Sequence, residues 1–291
     1  MVWRRPFVAP KALYDRVVAP APEGAETMTD WYDQDLDDLT TAVDLLENPG
    51  LIAKLSDLVG TPIEALFRAL PSGAGDKIAR VTHDSLMKAV NVAVRTLDPS
   101  DHGKPRPRSH LALAGLAGGV GGAFGIAALP VELPVTTTII MRSIADIARS
   151  EGEDLSAARS RLACLEVFAM GGPSDGDDAT ESGYFAVRMA LAQAVSEAAR
   201  FVANRAVVEE SAPVIVRLLA QIATRFNTVV GEKIMAQGVP LVGALGGATI
   251  NVLFIEHFQG MARGHFIVRR LERKYGEDPV RAKYEELSGS R

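Results

Sequence analysis

Leu111 to Val131 reads LALAGLAGGVGGAFGIAALPV, with six glycines, six alanines and no charged side chain in 21 residues. The uncharged run extends over residues 109–131, and a second one covers 234–255. Gly115-Leu-Ala-Gly-Gly119 matches Gly243-Ala-Leu-Gly-Gly247 in spacing, and each lies in an apolar run near a proline. A glycine in a helix costs about 1 kcal/mol relative to alanine, so this density calls for close packing to offset it. Small residues three or four apart let helix backbones approach closely. The reading is an all-α, multi-helix domain with two Gly-rich apolar helical hairpins packed centrally, Gly118, Gly119 and Gly122 facing Gly243, Gly246 and Gly247.

Outward from these runs the pattern is helical throughout. Tyr32, Leu36, Leu39, Val43 and Leu46 recur at spacings of three and four, with Asp33, Gln34, Asp37 and Asp38 on the outer face. Asn48-Pro-Gly50 ends that helix, and Thr61-Pro-Ile-Glu64 is a capping box opening a short helix closed by Pro71. Further helices are predicted from about Gly75 to Leu97, Pro134 to Ser150, Ser156 to Met170 and Tyr184 to Glu210, the last with small residues along one face. Ser211 caps another, with Pro213 in its first turn, and the last long helix stops at Gly276. Asp278-Pro279 starts a terminal one. Ser174 to Ser182 is an acidic, turn-rich loop.

Residues 1–28 hold four of the sixteen prolines and read as a flexible extension, with 29–291 as a single helical domain. Pro6, Pro10, Lys11 and Asp15 interrupt any secretory apolar region, and Met28 is a second candidate start. The net charge of −5 argues against nucleic acid, which needs a clustered basic surface. Residues 23–57 carry ten acids against Lys54, and 263–291 carry eight bases against five acids. Both are expected to be solvated helix faces. The single cysteine, Cys164, lies in an apolar run and reads as a small buried hydrophobe.

Several stretches together resemble the EcsC family. They are Gly118-Gly-Val-Gly-Gly122, Leu129-Pro-Val-Glu-Leu-Pro134, Ile140 to Ala148 (IMRSIADIA) and Gly152-Glu-Asp-Leu155. Downstream come Val239-Pro-Leu-Val-Gly243, Gly246-Gly-Ala-Thr-Ile-Asn251, His257 to Phe266 (HFQGMARGHF) and Arg269-Arg-Leu-Glu-Arg273. The resemblance spans about residues 29–287. It implies a bacterial accessory protein at the cytoplasmic face of the membrane, beside an ABC-type transporter. It brings no substrate and no catalytic residue. Some members are labelled peptidases, but HExxH and CxxC are absent here, and the one GxSxG spelling, Gly172-Pro-Ser-Asp-Gly176, falls in an acidic, turn-rich loop and not in a strand-to-helix elbow pattern.

The uncharged runs are long enough to span a bilayer. However, the eight strongly apolar side chains of the first supply at most roughly −2 to −5 kcal/mol of insertion. Hairpins buried in the fold or lying against a membrane surface are the alternatives, and Lys104, Arg106 and Arg108 suit an anionic surface. Gly119-Val-Gly-Gly-Ala-Phe-Gly125 has a loose dinucleotide-motif spelling, but no β-strand pattern precedes it and Pro130 follows closely. No cofactor is therefore assigned. His257 and His265 stand about 12 Å apart along one helix, too far to share a metal ion. Glu132, Arg142, Asp146, Asn251 and His257 are polar residues in apolar surroundings, and they are expected to form a network fixing the hairpins. The functional expectation is a non-catalytic accessory protein, peripheral to the inner membrane face, with a membrane surface or membrane protein as partner. The runners-up are a hydrolase with its site where the hairpins meet and an apolar-ligand or lipid-binding protein.

Overall fold

A computed structural model of the chain describes residues 31–47, 50–59, 73–92, 129–170, 183–203, 212–237 and 243–289. Among these are nine α-helices and no strand. They are α1 (Asp33–Glu47), α2 (Leu51–Val59), α3 (Ala74–Asn91), α4 (Leu129–Ser150), α5 (Ala158–Met170), α6 (Gly183–Ala203), α7 (Pro213–Gln237), α8 (Gly243–Tyr275) and α9 (Glu277–Gly289). The described residues from Tyr32 onward form one compact unit. Residues 1–28, Gly118, Gly119, Gly122 and the Thr61–Glu64 box lie outside the described residues.

A helix that is apolar on every side belongs at the centre of a fold. In α5 all nine residues from Leu162 to Met170 are buried, and α4, α6, α7 and α8 surround it. Phe168 of α5 meets Phe226 of α7 at 5.0 Å and Phe258 of α8 at 5.4 Å. Phe254 completes the cluster 5.2 Å from Phe258. Most of these rings meet edge to face, the arrangement their quadrupoles favour. The second half of α7, Val229 to Gln237, is buried on all sides as well. Among the described helices, α7 is the one long and apolar enough to cross a membrane, with a mean hydropathy of 1.2 in its most apolar window. Half of that window is buried within the fold.

The helix ends follow from local chemistry. After α4, Gly152 takes φ +79°, a left-handed conformation that glycine adopts without a Cβ penalty. Its N–H donates to Arg149 O (3.0 Å), and Glu153 N–H donates to Ala148 O (3.0 Å), which makes a Schellman closure. That closure places Glu153 directly beneath α8. Gly276, at φ +94°, ends α8 by donating to Glu272 O. The start of α4 differs from expectation, since the helix begins at Leu129 and runs through Pro134. Pro130 lies in the first turn, where no N–H is needed, and the carbonyl that Pro134 leaves free is that of exposed Pro130.

α8 approaches α1 closely at Gly260 and Gly264, a GxxxG pair. A Cβ on Gly264 would stand 2.6 Å from Leu46 Cγ and 3.1 Å from the Ala42 carbonyl oxygen. On Gly260 the nearest atom would be Leu45 Cδ2 at 3.5 Å. Gly243, Gly246 and Gly247 occupy the first turns of α8, with Gly247 buried and Gly246 half-buried.

The acidic and basic ends were expected on separate solvated faces, but they meet across this contact. Asp35 is buried and accepts hydrogen bonds from Lys274 Nζ (2.5 Å) and Tyr275 Oη (2.6 Å). Arg270 reaches Asp38 at 2.5 Å and Glu151 at 2.9 Å. The hydrogen bonds from Lys274 and Tyr275 hold the Asp35 carboxyl below its ordinary range, with the charge of Arg270 adding. Within the predicted stripe Leu39, Val43 and Leu46 are buried, Asp35 and Ala42 join them, and Tyr32, just before α1, is two-thirds exposed.

Candidate functional site

Of the five predicted polar residues, Glu132 has the most constrained setting. It is 4% exposed, and its Oε1 accepts from Lys233 Nζ (2.8 Å) and Gln237 Nε2 (3.0 Å). Lys233 and Gln237 stand one turn apart at the end of α7, so both point the same way. The Lys233 side chain is wholly buried, with Nζ 4.9 Å from the Phe254 ring centre. Burial pulls its ammonium below the ordinary lysine range, against the opposing charge and hydrogen bond of Glu132. Glu132 Oε2 has no hydrogen-bond partner among the described residues. One turn further along α4, Thr136 Oγ1 donates to Oδ1 of fully buried Asn251 across 3.4 Å. The same face of α4 thus holds α7 through Glu132 and α8 through Thr136.

The remaining three residues go elsewhere. Arg142 is exposed. Asp146 pairs with Arg149 at 2.9 Å, and the Arg142–Asp146 pairing expected from their spacing is not made because Arg142 points to solvent. His257 is 7% exposed, its ring edge-on to Phe258 at 5.0 Å.

A second polar assembly, which the sequence reading missed, lies on the opposite side of α5. Glu153 binds Arg269 through two contacts (2.8 and 3.2 Å), Ser160 Oγ (2.6 Å) and Arg273. Burial pushes the Glu153 carboxyl up, but Arg269, Ser160 and Arg273 outweigh it and hold the group below its ordinary value. Arg188 of α6 makes a bidentate pair with Glu272 of α8 (2.6 and 3.0 Å) and donates to Tyr184 Oη (3.3 Å). Tyr184 Oη in turn bonds fully buried His265 at Nδ1 (2.9 Å). Burial drives the His265 imidazole well below its ordinary value, and Arg188 and Arg269 add to this, so it stands neutral.

Arg188, Arg269 and Glu272 of this assembly line a cleft of about 470 Å³ between α5, α6, α8 and α9. One side is the face of α6 carrying Phe185, Met189, Ala192, Val195 and Ala199, the small-residue face noted in the sequence. Five arginines line the cleft: Arg159, Arg188, Arg200, Arg269 and Arg281. Glu166 of α5 also lines it, is 8% exposed, and takes part in no hydrogen bond among the described residues. Burial raises its carboxyl above the ordinary range, only partly opposed by Arg269, Arg188 and Arg159. Arg159 and Glu166 stand seven residues apart on one face of α5. That spacing, with the α6 stripe, is what the sequence shows of two of the walls, without showing that they meet.

Cys164 is wholly buried, and its Sγ donates to Ser160 O (3.4 Å). Desolvation pushes its thiol far up, which leaves it without nucleophilic character. Among the described residues no group of three or more His, Cys, Asp or Glu side chains is placed to hold a metal ion.

The geometry defines an all-helical protein with a buried ion pair binding α4 to α7 and an arginine-lined cleft beside its central helix. The chain matches the EcsC protein family over residues 25–271 and belongs to that family. No curated protein and no solved structure matches it.

Proposed function

We propose that the chain is a non-catalytic accessory protein of EcsC type that acts by binding at the inner face of the cell membrane, with a membrane protein of transporter class as its partner. The observation that carries this reading is the fate of the reactive side chains. Cys164, His265 and Lys233 are each wholly buried and engaged by packing or hydrogen bonds. The groups that reach a cavity are instead arginines and carboxyls, which bind and orient ligands. Membrane association is supported by the uncharged run 109–131 and by Lys104, Arg106 and Arg108 just before it, whereas the described part of 234–255 is largely buried in the fold.

Liposome flotation of the purified full chain tests the membrane step. The protein is expected to float with vesicles containing phosphatidylglycerol and to be displaced in part by high salt, which screens the basic contribution. Failure to float with anionic or neutral vesicles at any salt concentration overturns membrane binding.

A further inference from the structure

We infer that the cleft between α5, α6, α8 and α9 binds a single-chain amphiphile, its phosphate or carboxylate head held by Arg159 and Glu166 and its apolar body lying along Phe185, Met189, Ala192 and Val195. The inference rests on the binding role proposed above and names the ligand class for it. Its first support is the size of the cleft, about 470 Å³, within the range of small-molecule sites.

The second support is the distribution of committed and uncommitted charge. Arg188 is paired with Glu272, and Arg269 with Glu153. Glu277 and Asp278 fall in the first turn of α9, where acids complement the helix dipole. Arg159 is exposed and has no ion pair among the described residues. Glu166 is a nine-tenths-buried carboxyl facing the cavity with no hydrogen bond, a group whose burial calls for a partner. With Arg188 and Arg269 committed to Glu272 and Glu153, Arg159 is the guanidinium beside Glu166 that has no ion pair among the described residues. An anion is attracted to Arg159, and the Glu166 carboxyl, when it carries a proton, donates to one of the anion's oxygens.

The third support is the apolar wall. Met189 is 57% exposed beside Phe185, whose ring carries the Arg188 guanidinium at 5.5 Å and that of Arg281 at 5.6 Å. Apolar surface flanked in this way by arginine suits a chain bearing an anionic end.

The charged groups facing Glu166 are Arg159 from α5, Arg188 from α6, and Arg269 and Glu272 from α8. Glu277, Asp278 and Arg281 of α9 line the same cleft. Rising pH ionises Glu166 and sets it against the ligand head, so binding weakens with pH.

The test is isothermal titration calorimetry of the full chain with dodecyl phosphate and laurate below their micelle concentrations. Inorganic phosphate and dodecyl maltoside serve as the head-only and uncharged comparisons. Both anionic amphiphiles are expected to bind one to one, and the two comparisons at least about tenfold more weakly. Arg159→Gln and Met189→Glu, both at exposed positions, are each expected to weaken binding about tenfold with unchanged melting temperature. Glu166→Gln keeps a donor but cannot ionise, so it should bind at high pH as the wild type does at low pH. Equal affinity for inorganic phosphate would overturn the amphiphile in favour of a free-anion site. Absence of binding, or binding indifferent to Arg159→Gln and Met189→Glu, would overturn the site. Because no vesicle is present, a protein that binds dodecyl phosphate but never floats refutes only membrane association.

Discussion

Two alanine substitutions four residues apart on α8 should have opposite effects on stability. At Gly264 a Cβ would meet Leu46 Cγ at 2.6 Å and the Ala42 carbonyl oxygen at 3.1 Å. The first contact is with the branch point of a side chain and the second with backbone, so neither is relieved by swinging a chain terminus aside. Overpacking of this kind costs about 1–3 kcal/mol, and two stiff neighbours place it near about 3 kcal/mol. Replacing glycine by alanine within a helix returns about 1 kcal/mol. The net expectation for Gly264→Ala is a destabilisation of about 2 kcal/mol, a fall in melting temperature of about 4–8 °C. At Gly260 the added methyl meets only Leu45 Cδ2, at 3.5 Å, an ordinary contact. Gly260→Ala should therefore stabilise by roughly 0.5–1 kcal/mol. Urea unfolding followed by circular dichroism measures both, and Leu46→Ala should cost less in the Gly264→Ala background than in the wild type, because the two side chains are coupled. A Gly264→Ala protein as stable as the wild type would refute the claim that α1 and α8 meet at that glycine.

Lys233→Met leaves Glu132 buried without its cation and should cost about 3–5 kcal/mol, whereas Glu132→Leu with Lys233→Met should recover most of it, as chemical denaturation would show. His265 is neutral in the fold and protonates readily once unfolded, because its folded value lies far below the ordinary 6.5. Its contribution is fully present above about pH 6.5, and stability should decline below it with a slope approaching about 1.4 kcal/mol per pH unit. His265→Gln should remove that component of the pH profile. Cys164 should resist iodoacetamide in the folded protein and react only as fast as the structure opens, so prompt labelling would contradict its burial.

Where one local pattern decided an element, the sequence was sufficient. Pro213 at the start of α7, Gly276 after α8 and the 162–170 run, apolar but for Glu166, were legible because caps, breakers and burial act over a few residues. The cleft was not, since it needs α5, α6, α8 and α9 to converge, and no spacing within one helix reports that Arg188 will find Glu272 84 residues away. The polar network was legible only in part. Glu132 stood out as a lone acid in an apolar run, but its partner Lys233 looked like an ordinary helix lysine, and Arg142 had a suitable spacing from Asp146 without sharing its environment. The charged ends misled for the opposite reason, because composition shows an excess of acid in 23–57 without showing that Asp35 turns inward to Lys274 and Tyr275.

The hydrogen bonds from Lys233 and Gln237 to Glu132 act as a clasp between two points of the chain more than 100 residues apart. The Gly-rich stretch that ends at residue 128 enters α4 four residues before Glu132, and residues 238–242 leave α7 immediately after Gln237. The first residues of α4 and the last of α7 are therefore anchored at one place. Separating the start of α4 from the end of α7 requires the clasp to open. Opening it would expose a lysine and a carboxylate that the closed fold keeps from water, so a disulfide locking residue 132 to residue 233 would separate motions that need the clasp open from those that do not.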